Sequence, residues 1–299
     1  MFRRKHSCLQ LPTRRLVLGE RTLVMGVLNI TPDSFSDGGV YRDPEAAVAH
    51  ALELERAGAD ILDLGGESTR PAAAPVSARE ELSRILPVLE TLRGKLRIPV
   101  SVDTQKAEVA EAALAAGAEI VNDISALRSD PRLAEAARRA RAPVILMHMR
   151  GTPRTMQRGP FARNVIRDVM AGLRAALARA KHAGLAKSQV LVDPGIGFGK
   201  SHEQNFEILA RLPEFARLGC PIVIGTSRKA FLGEALARPG EPPLPPGERL
   251  LGTAATVTAA ILGGAHIVRV HDVAEIARVV RVADAIVHPQ GVASRRKPR

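Results

Sequence analysis

PEAAVAHALELERAGADILDLGGE, residues 44–67, decides the fold. Apolar residues recur at helical spacing from Pro44, a residue suited to a first helical turn, and Gly58 stands where a helix would stop. ADILDLGGE (59–67) then reads as a short buried strand ending in polar residues. The same order recurs around TLVMGVLN (22–29), IPVSVDT (98–104), AEIVNDI (118–124), APVILMHM (142–149), QVLVDPG (189–195), CPIVIGTS (220–227) and AHIVRVHD (265–272), giving eight runs in all. AGAD at 57, AGAE at 116, HAGL at 182 and GGAH at 263 each place a glycine just past a helix and before the next strand. Strand, helix and glycine stop repeated eight times predict an α/β chain folded as a (β/α)8 TIM barrel; a doubly wound open sheet is the rival and fits the repeat number less well. The expected organisation is an N-terminal arm over 1–21 that plugs the barrel's N-terminal mouth, a barrel over 22–288 and a basic tail over 289–299.

Composition narrows the function. Of 299 residues 45% are hydrophobic and only 3% aromatic, with no Trp and a single Tyr41, so the core is aliphatic. The formal charge is +12, but the arginines are spread along helices and stacking aromatics are scarce, which argues against nucleic acid. Cys8 and Cys220 offer neither a disulfide framework nor a metal-ligand spacing, as in a reducing compartment. No signal-peptide core or membrane-length apolar run is present, so a cytoplasmic protein is expected. The proline-rich ARPGEPPLPPG (237–247) reads as a surface connection.

Barrel active sites are built at the C-terminal ends of the strands. Those ends supply Asn29, Glu67 to Arg70, Asp103, Asn122 with Asp123, His148, Asp193, Ser227 to Lys229, and Arg269 with His271. Singly, Asp103 and Asp123 read as helix caps, and His148 as a satisfied core or rim histidine. Together they form two groups. Asp103, Asn122, Asp193 and Lys229 mix acceptors and donors as a flat heterocycle requires, whereas Arg269, His271, Arg70, Ser68 and Thr69 are donors suited to phosphate oxygens. Arg269 and His271 are two apart on a strand and share a side. Asn29 offers one neutral oxygen to Mg²⁺, whose other positions phosphate oxygens and waters can fill, and no site has the ligand set of zinc.

LNITPDSFSDGG, GGESTRPAA, VSVDT, VNDI, LMHMRGTP, LVDPGIGFGK, GTSRKAFLG and IVRVHD, in this order between Leu23 and Ile286, resemble the bacterial dihydropteroate synthases, enzymes of the folate pathway. The resemblance implies a (β/α)8 barrel and a transferase that condenses 6-hydroxymethyl-7,8-dihydropterin pyrophosphate with p-aminobenzoate, using Mg²⁺, in a homodimer formed through outer helices. It also implies roles. Asp103, Asn122, Asp193 and Lys229 would hold the pterin, with Asp193 on its N3–H and 2-amino edge. Arg269, His271 and Thr69 would take the pyrophosphate and Asn29 the metal. Phe35, Pro71 and Ser227 would line the p-aminobenzoate site, Phe35 on a flap, with Asp103, Lys229, Arg269 and His271 closest to the chemistry.

The family pattern has Gly after the proline of STRP, where this chain has Ala72, which puts the second loop's stiffness in question. Two other readings compete: a corrinoid-linked pterin methyltransferase, which would not need the SRK and TPDSFSDGG elements, and a non-catalytic pterin-binding paralogue, which would have lost a metal, loop or anion residue.

Overall fold

The computed structural model describes residues 4–31, 44–69, 73–159 and 161–289. Phe35, Arg70, Pro71 and Ala72 lie outside them, as do LNITPDSFSDGG beyond Thr31 and the tail beyond Pro289. A hairpin of β1 (Ser7–Gln10) and β2 (Arg15–Leu18) precedes eight parallel strands: β3 (Leu23–Asn29), β4 (Ile61–Gly65), β5 (Val100–Asp103), β6 (Ile120–Asp123), β7 (Val144–Met147), β8 (Val190–Asp193), β9 (Val223–Ile224) and β10 (Ile267–Val270). Each falls within one of the eight apolar runs.

The helices are α1 (Pro44–Ala57), α2 (Ala78–Leu92), α3 (Ala107–Ala115), α4 (Arg132–Arg139), α5 (Val165–His182), α6 (His202–Ala210), α7 (Ala230–Leu236), α8 (Leu250–Leu262) and α9 (Val273–Val287). Pro44 opens α1 as expected, and Gly58 and Gly117, just past α1 and α3, take φ of 109° and 111°. The ladder runs β8-β7-β6-β5-β4-β3-β10-β9, and a parallel bridge between Val192 and Ile222, with the Val192 N–H donating to the Pro221 carbonyl at 3.0 Å, brings β8 and β9 together. A sheet joined at both edges is a barrel, not a doubly wound sheet.

Side chains two apart on a strand share a face, and the strand registers sort them into layers. Met25, Ile61, Ile120, Ile145, Leu191, Val223 and Ile267 pack together inside the barrel, toward its N-terminal end. One inward step further along their strands stand Val27, Asp63, Asn122, Met147, Asp193, Gly225 and Arg269. The opposite parity (Val24, Leu62, Leu64, Val102, Val121, Val144, Val268) packs against the helices. The barrel is thus apolar at its floor, and one layer higher Asp63, Asn122, Asp193 and the partly exposed Arg269 bring polar groups among Val27, Met147 and Gly225.

The N-terminal hairpin covers that floor: Leu9, Leu11 and Leu18 are buried in the cluster with Met25 and Ile267. Arg4 tethers it, its guanidinium paired with Asp284 of α9 at 2.7 Å and donating to the Ala265 carbonyl at 3.1 Å and to the Thr22 hydroxyl. Asp284 also accepts from the Thr22 N–H at 2.8 Å. Removing one partner of such a buried pair strands the other charge. Asp284→Ala should therefore lower the free energy of unfolding by about 3 kcal/mol, read from urea denaturation.

Candidate active site

The polar layer centres on one guanidinium between two carboxylates. Arg269 Nε lies 2.6 Å from Asp63 Oδ2 and its Nη2 lies 2.9 Å from Asp103 Oδ2, although the three residues come from β10, β4 and β5. Asn122 Nδ2 donates to the same Asp63 oxygen at 3.1 Å. Only its amide nitrogen can face a carboxylate, so the side-chain carbonyl of Asn122 remains to accept from a ligand N–H. Two buried acids sharing one cation cannot both ionise cheaply. Burial pushes the Asp103 carboxyl up to about 8, with Arg269 opposing and Asp63 reinforcing the rise. Burial also works against the Arg269 charge, but Asp63 and Asp103 outweigh it and hold the guanidinium above its usual range.

Asp193 ends β8 beside Lys229, which follows β9 at the N-terminus of α7. Burial raises the Asp193 carboxyl, opposed by Lys229, and lowers the Lys229 amine to about 8, opposed by Asp193. The two form no ion pair. Asp193 Oδ1 accepts from the Gly195 N–H at 2.6 Å, and the Lys229 amine donates to the Ile196 carbonyl and lies 4.6 Å from the centre of the Phe198 ring. A buried acceptor and a half-buried donor held apart by separate partners suit the edge of a flat polar ligand.

On the other side, His271 continues the Arg269 strand. Its Nδ1 lies 3.0 Å from the Ser227 hydroxyl, which also accepts from the His271 N–H at 3.1 Å. With the hydroxyl donating its own hydrogen to Nδ1, the ring hydrogen stands on Nε2 as a donor; the other tautomer would donate from Nδ1 instead. Thr69 is half-buried on the segment after β4.

Asn29 pairs in register with Gly65 and Gly65 with Asp103, so the strand between two polar residues carries no side chain at that level. A Cβ on Gly65 would lie 3.3 Å from Asn29 Oδ1 and 3.9 Å from Asp103 Oδ2, so the glycine leaves a small oxygen-lined space. That donor set fits Mg²⁺, a hard cation that takes oxygen ligands and completes its shell with substrate oxygens and water. No group of three or more His, Cys, Asp or Glu able to hold a metal occurs among the described residues.

Other polar strand ends are not part of this cluster. Asp123 has the outward parity and organises the next turn, accepting from the Ser125 and Leu127 N–H groups at 2.8 and 2.5 Å. Glu67 pairs with Lys106 at 2.8 Å. His148 is buried against Gly172 of α5 and bonded to Lys200, the satisfied histidine the sequence suggested, and burial holds its ring neutral.

The family model of the pterin binding enzymes matches residues 25–271. The dihydropteroate synthase of Synechocystis is 48% identical over 268 residues, 90% of this chain and 91% of that protein, and the Escherichia coli K12 dihydropteroate synthase is 47% identical over 88% and 90%. The chain belongs to the dihydropteroate synthases of the pterin-binding enzyme family. Among solved structures of dihydropteroate synthases, that of Xanthomonas albilineans with 4-aminobenzoic acid is similar at a TM-score of 0.86 and 43% identity, covering 95% of this chain and 99% of that one. The Yersinia pestis enzyme in complex with a sulfonamide drug gives 0.87 at 40% identity, covering 94% and 98%.

Three residues of this pterin-binding enzyme escaped the sequence reading. Asp63 lies inside its apolar run, and the strand-end rule passed over it. A lone carboxylate within ILDLG, two residues before Gly65 and so on the same face, was the available signal, because a buried charge must find a partner. Phe198 and Lys200 follow β8 in the GIGFGK segment, several residues past the strand end. The shared guanidinium gives a test of Asp103: in ¹³C NMR of aspartate-labelled protein one carboxyl should titrate near pH 8 and vanish in Asp103→Asn. If every aspartate titrates below about pH 5, the usual carboxylate range, the reading of this cluster is wrong.

Proposed function

We propose that the chain condenses 6-hydroxymethyl-7,8-dihydropterin pyrophosphate with p-aminobenzoate, releasing 7,8-dihydropteroate and pyrophosphate. The observation that carries this is the division of one rim: Asp193, Asn122 and Lys229 present ring-reading acceptors and a donor, and Arg269 and His271 present the anion side.

In this reading the pterin ring lies between Asp193 and Lys229, with the Asn122 carbonyl on a ring N–H. The carbon–oxygen bond of the pterin methylene breaks, and its electron pair leaves with the pyrophosphate oxygen. Positive charge then spreads over the methylene and ring; that charge favours the ionised form of Asp103, whose proton passes to water and whose carboxylate stabilises the cation. Arg269 and the Nε2–H of His271 receive the growing negative charge on the pyrophosphate. The arylamine nitrogen is neutral at physiological pH, attacks the methylene carbon and afterwards loses its proton to water, so no strong base is needed. Asn29 would hold Mg²⁺, which when bound supplies charge neutralisation for the diphosphate. Ser227, through His271, joins the anion side to the arylamine site, whose other residues, Phe35 and Pro71, lie outside the described ones.

Cytoplasmic placement is supported by two free cysteines, and no helix among the described residues is long and apolar enough to cross a membrane. A homodimer through outer helices is supported by Leu251 of α8, 77% exposed, and Val282 of α9, 63% exposed. Replacing both by glutamate should turn a dimer into a monomer in sedimentation, and an unchanged coefficient would count against this interface.

Pyrophosphate release from the two substrates with Mg²⁺ tests the reaction; no release above background by folded protein refutes it. Asp193→Ala should weaken pterin binding about 100-fold through loss of charge-assisted hydrogen bonds. Asn29→Ala should raise the Mg²⁺ needed for half-maximal rate about tenfold while pterin affinity measured without metal stays unchanged.

A further inference from the structure

Behind the pterin-reading groups lies a buried amine that the proposed reaction does not use. Lys200 is 2% exposed, and its Nζ reaches three acceptors: His148 Nδ1 at 3.0 Å, the His148 carbonyl at 3.1 Å and the Phe198 carbonyl at 3.0 Å. Two of these lie just past the end of β7. The third lies on the segment 194–199 that carries the Lys229 acceptor Ile196 and the Phe198 ring. Lys200 therefore spans the gap between a barrel strand and the wall of the ligand site.

That wall has little structure of its own. It crosses Gly195, Gly197 and Gly199, all at positive φ, and one internal bond, Phe198 N–H to the Gly195 carbonyl at 3.1 Å, folds it. It is pressed against β7's continuation: a Cβ on Gly195 would lie 1.9 Å from the His148 carbonyl oxygen. Glycine-rich backbone loses much conformational freedom when ordered, so its position depends on what pins it from outside. Asn205 Oδ1 accepts from the Gly197 N–H at 2.6 Å and Gln157 Nε2 donates to the Gly197 carbonyl at 3.1 Å. Asp193 Oδ1 holds the Gly195 N–H at 2.6 Å from the β8 side, and Lys200 is the buried side chain that ties the far end of the segment to the end of β7.

A cation is costly at this depth. Burial drives the amine down to about 7, with Asp193 opposing the fall and Lys229 adding to it. An apolar side chain would fill the space without that penalty, whereas the ammonium alone has three N–H donors for three acceptors facing one point.

We propose that Lys200 is a positioning residue for pterin binding: by clamping segment 194–199 onto the end of β7, it fixes the Ile196 carbonyl and Phe198 ring that aim the Lys229 amine. This rests on the pterin reading of the site above. Lys200 acts through Lys229 and touches no substrate, so its influence disappears once Lys229 can no longer be aimed.

The test is a double-mutant cycle on pterin binding, followed by the fluorescence of 6-hydroxymethylpterin, with Lys200→Met and Lys229→Met singly and together. Lys200→Met should weaken binding about tenfold in the native background and less than about twofold when Lys229 is already Met, the non-additivity expected of coupled residues. In turnover, the same variant should raise KM for the pterin substrate while kcat and the Mg²⁺ requirement stay within about threefold, because the Arg269 side is untouched. Equal losses in both backgrounds would overturn the proposal, as would unchanged binding in folded Lys200→Met. Lys200→Gln, which keeps two donors on a shorter stem, serves the same cycle if the Met variant does not fold. Pyrophosphate release by the native protein reports separately on the reaction, so binding without release overturns the proposed reaction and leaves the Lys200 cycle to be judged by its own numbers.

Discussion

The guanidinium of Arg269, held between Asp63 and Asp103, is the interaction on which the rest of the site depends. It joins β10 to β4 and β5 across the barrel mouth, and the Asp63 carboxylate it holds also accepts from the Asn122 amide. One cation shared by two buried acids also leaves an excess of negative charge. Such a cluster resists ionising completely while empty and gains when positive charge develops beside it, which is what loss of pyrophosphate from a pterin methylene would provide. The electrostatic tension of the free site and the stabilisation of the reacting one have the same cause.

The barrel makes that arrangement possible through strand parity. The inward residues of the lower layer are large aliphatics, closed from below by the N-terminal hairpin. One inward step higher stand Asp63, Asn122, Asp193 and Arg269, and their charges rest on a packed floor with restricted solvent. Parity also explains the polar strand ends that do other work. Asp123 and His148 point outward, so one shapes a turn and the other packs under α5 and receives Lys200.

The eight strands were legible because each is a short aliphatic run bounded by a glycine stop and a polar end. Asp103, Asn122, Asp193, Lys229, Arg269 and His271 could be selected because they sit at those ends. Asp63 could not be found that way: it stands inside a run, and its partner is more than two hundred residues away, so no local pattern links them. Asp103, taken alone, read equally well as a helix cap, and only the fold shows that its carboxylate faces Arg269 instead. Lys200 was hidden for a different reason, since a lysine closing a glycine-rich loop reads as solvent-exposed until the strand it is pressed against is known.

The most direct measurement is the affinity of Arg269→Lys for the dihydropterin pyrophosphate by titration calorimetry. A lysine keeps the charge but, as a point donor, cannot bridge two carboxylates from separate strands while facing a diphosphate. If the shared guanidinium organises the site, the variant folds normally and loses affinity about 100-fold. Affinity within about threefold of the native protein would show that only the charge matters and would contradict the account.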